Sequence, residues 1–224
     1  MKPRISSSPE AGLNLFEVGV VLAVVMILAV VILPALQPSR KKRDPYFCVN
    51  NLKQVGLAYR VWSGDHGDIY PMALSVTNGG SMEMVATGNV VQTYMIMSNE
   101  IADPRMLFCP ANAVWLAANG FSGLANSNVS YFINVDGTDT DPEIIISGDS
   151  SFELRGKPVN PGLLALWTND PVAWSVKPHN RAGNLLFADG SVGSFTTRDL
   201  QNVLKQTERL AYALPAVTNR WAIP

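Results

Sequence analysis

Apolar residues fill positions 13–36 almost without a break, and only Asn14, Glu17, Gly19 and Pro34 stand out from the run. Twenty-four helical residues at about 1.5 Å each reach roughly 36 Å, more than a bilayer core of about 30 Å. The run therefore predicts a helix that spans a membrane. An unpaired charge inside such a span costs at least ~2.5 kcal/mol, so Glu17 predicts a specific partner. Past this run the period changes. Val49, Leu52, Val55, Tyr59 and Trp62 recur at three- and four-residue spacing, which predicts a helix over 46–62. Together the two stretches read as one long N-terminal helix interrupted near Pro34, Pro38 and Pro45. Its second half lies as a spine against a globular domain, and the glycines and acids of 63–68 end it.

The remaining pattern is shorter in period. Residues 75–90 are rich in Gly, Thr, Asn and Ser and read as loop. A short helix is predicted over 90–101, with its methionines as packing. Residues 107–110 read as a short strand closed by Pro110, residues 113–119 as a helical turn and 119–128 as loop. Strands are predicted at 130–135 and 143–147, and 163–167 is a third apolar run. Asp189-Gly190 predicts a β-hairpin with a two-residue type I′ turn. Phe187 then faces Val192, with Leu185 on the same face as Phe187. Residues 197–210 form an amphipathic helix with Leu200, Val203, Leu204 and Leu210 on its apolar side. The tail after Pro215 reads as irregular. No repeat of fixed period and no low-complexity tract appears. The fold class is α+β: a long N-terminal helix, membrane-spanning in its first half, packed on a small antiparallel sheet.

Composition narrows the function classes. The chain has 224 residues, a formal net charge of −1, 47% hydrophobic and 16% charged residues. About 180 residues lie beyond the first helix, enough for one domain with a core. Charge near zero gives no reason to expect nucleic acid. The two cysteines, Cys48 and Cys109, fit one disulfide, which an exported domain permits, and equally two free buried thiols. Arg40-Lys41-Lys42-Arg43 outnumbers Lys2 and Arg4 ahead of the apolar run. Counted alone, that cluster places the large domain in the cytosol. Resting against anionic lipid headgroups is the other reading of the cluster.

Two motifs carry a resemblance. Gly12-Leu13-Asn14-Leu15-Phe16-Glu17-Val18 resembles the processing site of type IV prepilins and type II secretion pseudopilins. The resemblance implies a cut between Gly12 and Leu13 on the cytoplasmic side, with methylation of the Leu13 amine. Leu13 stands where that family usually has Phe. Glu17 becomes the fifth mature residue, which the family uses to meet the amino terminus of a neighbouring subunit. Pro34 lies where many pilins carry a helix-loosening proline. His179, nine residues, then Asp189-Gly190 resembles the H-X9-DG element of a pilin-like group of the planctomycete and verrucomicrobial kind. Residues 48–58 resemble a segment common in that group. The organisation implied is a leader (1–12), a transmembrane and assembly helix (13–36), a linker with the second half of the helix (37–62), and a pilin-like domain (63–224) with its hairpin at 179–195. The implied partners are prepilin peptidase, other pilin-like subunits, the inner-membrane assembly platform and membrane lipid. The implied location is the inner membrane, single-pass, with the domain in the periplasm and a filament after assembly.

Other chemistry weighs less. Asp136, Asp139 and Asp141 crowd one loop, as oxygen ligands of Ca²⁺ do, with Asp149 a further ligand on the next loop. Major pseudopilins often hold calcium in a C-terminal loop, although the spacing here is not that of an EF-hand, and a solvated turn between strands explains it as well. His66 and His179 are the only histidines, and G-x-S-x-G and H-E-x-x-H are absent. His179 is expected to cap a loop or bond to backbone, and no enzymatic role is expected. A second class stays open: a single-pass membrane-anchored envelope enzyme or solute-binding protein, with a polar pocket around His179 or His66. A third is a removed secretory signal ahead of a soluble domain, which predicts a mature start well beyond Leu33.

Overall fold

The apolar N-terminal run forms one helix, α1 (Leu15–Leu36). The computed structural model describes residues 15–36, 45–111, 117–139, 141–167, 169–213 and 219–224, with the side chains of 31–36, 45 and 207–213 excepted. The chain divides into two units, 1–42 and 43–224. In the first, apolar side chains along α1 stand exposed, among them Leu15, Phe16, Leu22, Met26 and Val30. Among the described residues no helix is long and apolar enough to cross a membrane. Side chains of α1 are described only as far as Val30, which covers about 24 Å of rise against a bilayer core of about 30 Å. The N-terminal helix, expected to be interrupted near Pro34, Pro38 and Pro45, is two helices in the described residues, the first of which continues past Pro34 to Leu36. The second, α2 (Pro45–Gly64), begins on a proline, whose missing N–H costs nothing in a first turn. The basic cluster at 40–43 and Pro38 lie outside the described residues.

On α2 Cys48, Leu52, Val55, Tyr59 and Trp62 form a buried stripe at alternating spacings of four and three, with Gly56, Ala58 and Ser63 buried beside it, while Val49, expected on the stripe, is half-buried. Short elements follow. Single 3-10 turns form at Pro71–Ala73 and Val76–Asn78, then α3 (Met82–Val85) and α4 (Val91–Ile96). The expected loop at 75–90 thus contains two short helical pieces, at 76–78 and 82–85, among turns. Ser75 explains this: its hydroxyl accepts from the Thr77 N–H and donates to Glu83 Oε1, so local caps build turns from loop-like composition. The strand expected at 107–110 is instead the end of a 3-10 turn, Pro104–Leu107. Pro104 sets φ, and Asp103 accepts from the Arg105 N–H, which together start a turn there. Two more such turns, Phe121–Gly123 and Asn126–Asn128, occupy the expected loop at 119–128. The helical turn expected at 113–119 falls mostly outside the described residues.

The rest of the domain is sheet. Its strands are β1 (Tyr131–Asn134), β2 (Ile145–Asp149), β3 (Phe152–Leu154), β4 (Lys157–Pro158), β5 (Gly162–Leu166), β6 (Val172–Trp174), β7 (Ala182–Phe187), β8 (Val192–Thr196) and β9 (Asn219–Ile223), with α5 (Thr197–Ala213) between the last two. Six form an antiparallel sheet in the order β5-β9-β1-β2-β7-β8, and three form a smaller one, β4-β3-β6. The class is α+β with a small antiparallel sheet. The tail is a correction to the sequence reading. Far from irregular, residues 219–223 make β9, which pairs with β5 from Gly162↔Ile223 to Leu166↔Asn219 and with β1 at Ile133↔Ala222. The hairpin turn is a second correction. Phe187 N–H donates to Ser191 O, Gly190 N–H to Phe187 O, and Val192 pairs with Leu186. Gly190 has φ +83° and Asp189 is not in the positive region. The loop is therefore three residues long with a left-handed glycine at its end. Asp189 Oδ1 accepts from the Ser191 N–H and favours that form.

Alternation along each strand sends neighbours to opposite faces, and here both faces are covered. Tyr131, Ile133, Ile146, Leu186 and Ala222 join the stripe of α2 together with Tyr70, Tyr94 and Met97. Phe132, Ile145, Leu185, Trp221 and Ile223 join β3, β6 and α5 through Phe152, Trp174, Leu200 and Leu204. Aromatic rings centre this second core: Phe132 stacks on Trp221 at 4.1 Å, and Phe152 meets Trp221 edge-on at 5.4 Å. Gly183 permits the close approach of the smaller sheet, since a Cβ there would stand 2.4 Å from the Trp174 ring. Gly183→Ala is expected to cost about 1–3 kcal/mol by overpacking. Its midpoint of thermal unfolding should fall by several degrees, and an unchanged midpoint would mean the Trp174 ring yields freely.

Candidate functional site

The His179-to-Gly190 motif brackets β7, and β7 lies along α2. Its two ends fasten the two ends of that helix. At the Asp-Gly end, Arg60 Nη1 donates to the Asp189 carbonyl oxygen at 2.7 Å, and the Tyr70 hydroxyl donates to the Ala188 carbonyl at 2.8 Å. At the histidine end the ring stands by Cys109, which is joined to Cys48 in the first turns of α2 by a disulfide. From Cys48 to Arg60 the helix rises about 18 Å. Of the nine-residue spacer, the six residues of β7 span about 20 Å, close to that rise.

The histidine end is buried and dense in chemistry. His179 Nε2 lies 3.2 Å from Cys109 Sγ and 3.5 Å from Asp149 Oδ2, with side-chain exposures of 6% for His179 and 2% for Asp149. The backbone places the ring there by an irregular approach: a cis Lys177-Pro178 bond before it, then Asn180 and Arg181 at φ +53° and +63°. Asp149 ends β2, and its Oδ2 accepts from the backbone N–H and the side-chain amide of Asn184 on β7, both at 2.8 Å. Its Oδ1 is buried with no hydrogen-bond partner among the described residues. Asn51 Nδ2 donates to the Phe108 carbonyl oxygen and pins the Cys109 segment to α2. The expectation that His179 caps a loop or bonds to backbone is corrected: its polar neighbours are a sulfur and a carboxylate. Asp149, read as a loop residue, is a strand residue in the core.

Burial pushes the Asp149 carboxyl up to about 7, against the two Asn184 hydrogen bonds, which pull it down. Burial also pushes His179 below its ordinary value. A carboxyl that holds its proton more tightly when folded stabilises the fold fully below about pH 4, and that contribution is lost as pH rises through about 7, by about 4 kcal/mol at most. His179 acts oppositely and offsets part, because its neutral form is favoured in the fold. Asp149→Asn cannot ionise. Thermal unfolding at pH 5 and pH 8 is expected to show a drop in the parent that this variant largely lacks, and equal drops would exclude Asp149 as its source.

The other candidates fall elsewhere. Asp136 accepts from Arg220 Nε and Nη2 and from the Arg220 backbone N–H, so its carboxylate fastens β9. Asp141 Oδ1 accepts from the Glu143 N–H, and Asp139 is exposed. Among the described residues, Cys48, Cys109 and His179 are the group whose ligand atoms all lie within 4.8 Å of one another. Asp136, Asp139 and Asp141 form no such group there. His66 Nδ1 lies 2.7 Å from the Trp62 carbonyl oxygen, and its ring stacks on Trp62 at 3.7 Å, so it closes the end of α2. Glu17 lies in the first turn of α1, while Gly12 and Leu13 lie outside the described residues. Sequence reasoning missed the roles of Asp149, Asn184 and Arg60. A polar residue inside an apolar strand, such as Asn184 in AGNLLF, was the signal for one of them.

Comparison with protein-family models, with curated proteins and with solved structures finds no match for the chain.

Proposed function

We propose that this chain is a pilin-like structural subunit of a type II secretion or type IV pilus system. A prepilin peptidase cuts after Gly12 and methylates Leu13. The apolar helix holds the subunit in the inner membrane and then leaves lipid for a bundle of like helices, where Glu17 meets a neighbour's terminal amine. The domain faces the periplasm and forms the filament surface. One observation carries the reading: α1 displays apolar side chains on every side, with Leu15, Phe16, Val20, Leu22, Met26 and Ile27 all exposed. A helix that is apolar all round needs lipid or other helices around it. The disulfide accords with an exported domain. Against an amphipathic face, which suits one partner surface, an all-round apolar surface suits a bundle interior. A membrane-permeant crosslinker applied to intact cell envelopes tests the proposal. A ladder at multiples of the subunit mass is expected, and a chain recovered only as monomer would contradict it.

A further inference from the structure

Disulfide, imidazole and carboxylate meet in one buried place, and they become metal ligands once the disulfide is reduced and the thiols and the carboxyl have given up their protons. We propose that, once the disulfide is reduced, Cys48, Cys109, His179 and Asp149 bind one divalent cation of the Zn²⁺ class. In tetrahedral zinc sites, bonds of about 2.0–2.3 Å set neighbouring ligand atoms about 3.3–3.8 Å apart. His179 Nε2 stands 3.2 Å from Cys109 Sγ, close to such an edge, and 3.5 Å from Asp149 Oδ2, which belongs to the same carboxylate as the oxygen left to ligate. The two sulfurs must part, from about 2.0 Å in a disulfide to about 3.7 Å around zinc, and Asp149, which lies outside the group of three whose ligand atoms are all within 4.8 Å of one another, must close on them. Cys48 comes from α2, Cys109 from the segment after the 3-10 turn at 104–107, Asp149 from β2 and His179 from the β6–β7 connection. Four separate segments therefore hold the set, and three of the four residues are almost wholly buried, Cys48 at 0%, Cys109 at 1% and Asp149 at 2%.

A second observation points the same way. Asp149 Oδ1 is buried without a hydrogen-bond partner among the described residues, while Asn184 orients Oδ2 through two hydrogen bonds. A ligating carboxylate held by an outer amide is the arrangement metal sites use. Two thiolates and an imidazole select zinc-like ions over Ca²⁺ or Mg²⁺. The reducing step balances with an added phosphine. Two electrons pass to the Sγ–Sγ bond, which breaks; the sulfurs take two protons from one water, whose oxygen leaves as phosphine oxide. Zinc then displaces the thiol protons.

The test uses the full chain in detergent micelles, with and without phosphine, titrated with Zn²⁺ against a chromophoric chelator and, separately, with Co²⁺. The reduced protein is expected to take one equivalent of Zn²⁺ and to give the ligand-field bands of tetrahedral cobalt thiolate, while the disulfide form takes none. His179→Ala and Asp149→Asn should each weaken uptake about tenfold or more. Near-ultraviolet circular dichroism reports folding throughout. A reduced chain that loses its signal and regains it with zinc supports the site. A reduced chain that stays unfolded with zinc, that folds but takes no metal, or whose uptake both variants leave unchanged overturns it.

Discussion

Glu17→Ala is expected to leave the chain in the membrane fraction and to abolish its assembly. Removing a carboxylate from an apolar helix eases insertion, by at least ~2.5 kcal/mol on insertion scales. In a bundle the effect reverses. There the carboxylate is read as the partner of a terminal amine from an adjacent copy, and removing one member of a buried pair costs about 3–5 kcal/mol because the other is left uncompensated. Glu17 sits in the first turn of α1, where a negative charge also suits the helix dipole. The measurement is the crosslinked ladder in envelopes, with membrane fractionation as the control for insertion. A monomer that fractionates with membrane supports the filament reading. An unaltered ladder, or an unaltered phenotype, favours the membrane-anchored enzyme or solute-binding protein, which has no use for this acid.

The second large effect lies in the domain. Trp221→Ala is expected to cost about 3–5 kcal/mol and to lower the unfolding midpoint by roughly 10 °C or more. Trp221 is fully buried, stacks on Phe132 and meets Phe152 edge-on. It also sits on the strand between β5 and β1, so a cavity there loosens two strand pairings at once. Chemical or thermal denaturation of the purified protein reads the loss. A shift of under a degree would show that β9 contributes little to the fold.

How much of this was legible in the sequence depends on how local the cause is. The α2 stripe was readable from Leu52 to Trp62 because its packing repeats with the helix period, although Cys48 rather than the expected Val49 begins it. So was α5, whose Leu200 and Leu204 are both buried. The strands β1 and β5 announced themselves as apolar runs. β9 did not, because Asn219 and Arg220 break its pattern, and only Asp136, eighty-four positions away, explains the arginine. The 3-10 turns at 76–78 and 104–107 depend on single caps, Ser75 and Asp103, whose composition equally reads as loop. The three-residue turn at Asp189 follows from a side-chain bond to Ser191 that a dipeptide rule does not register. The candidate site was half visible. His179 and the cysteine pair stood out by residue type, but Asp149 and Asn184 reach them only through the pairing of β2 with β7.

Intact mass of the chain purified from its own cell envelope tests the central claim most directly. A retained apolar helix behind a trimmed leader gives a chain that begins at Leu13 and carries one added methyl. A mass beginning at Met1, or one beginning beyond Leu33 with the helix gone, would contradict it.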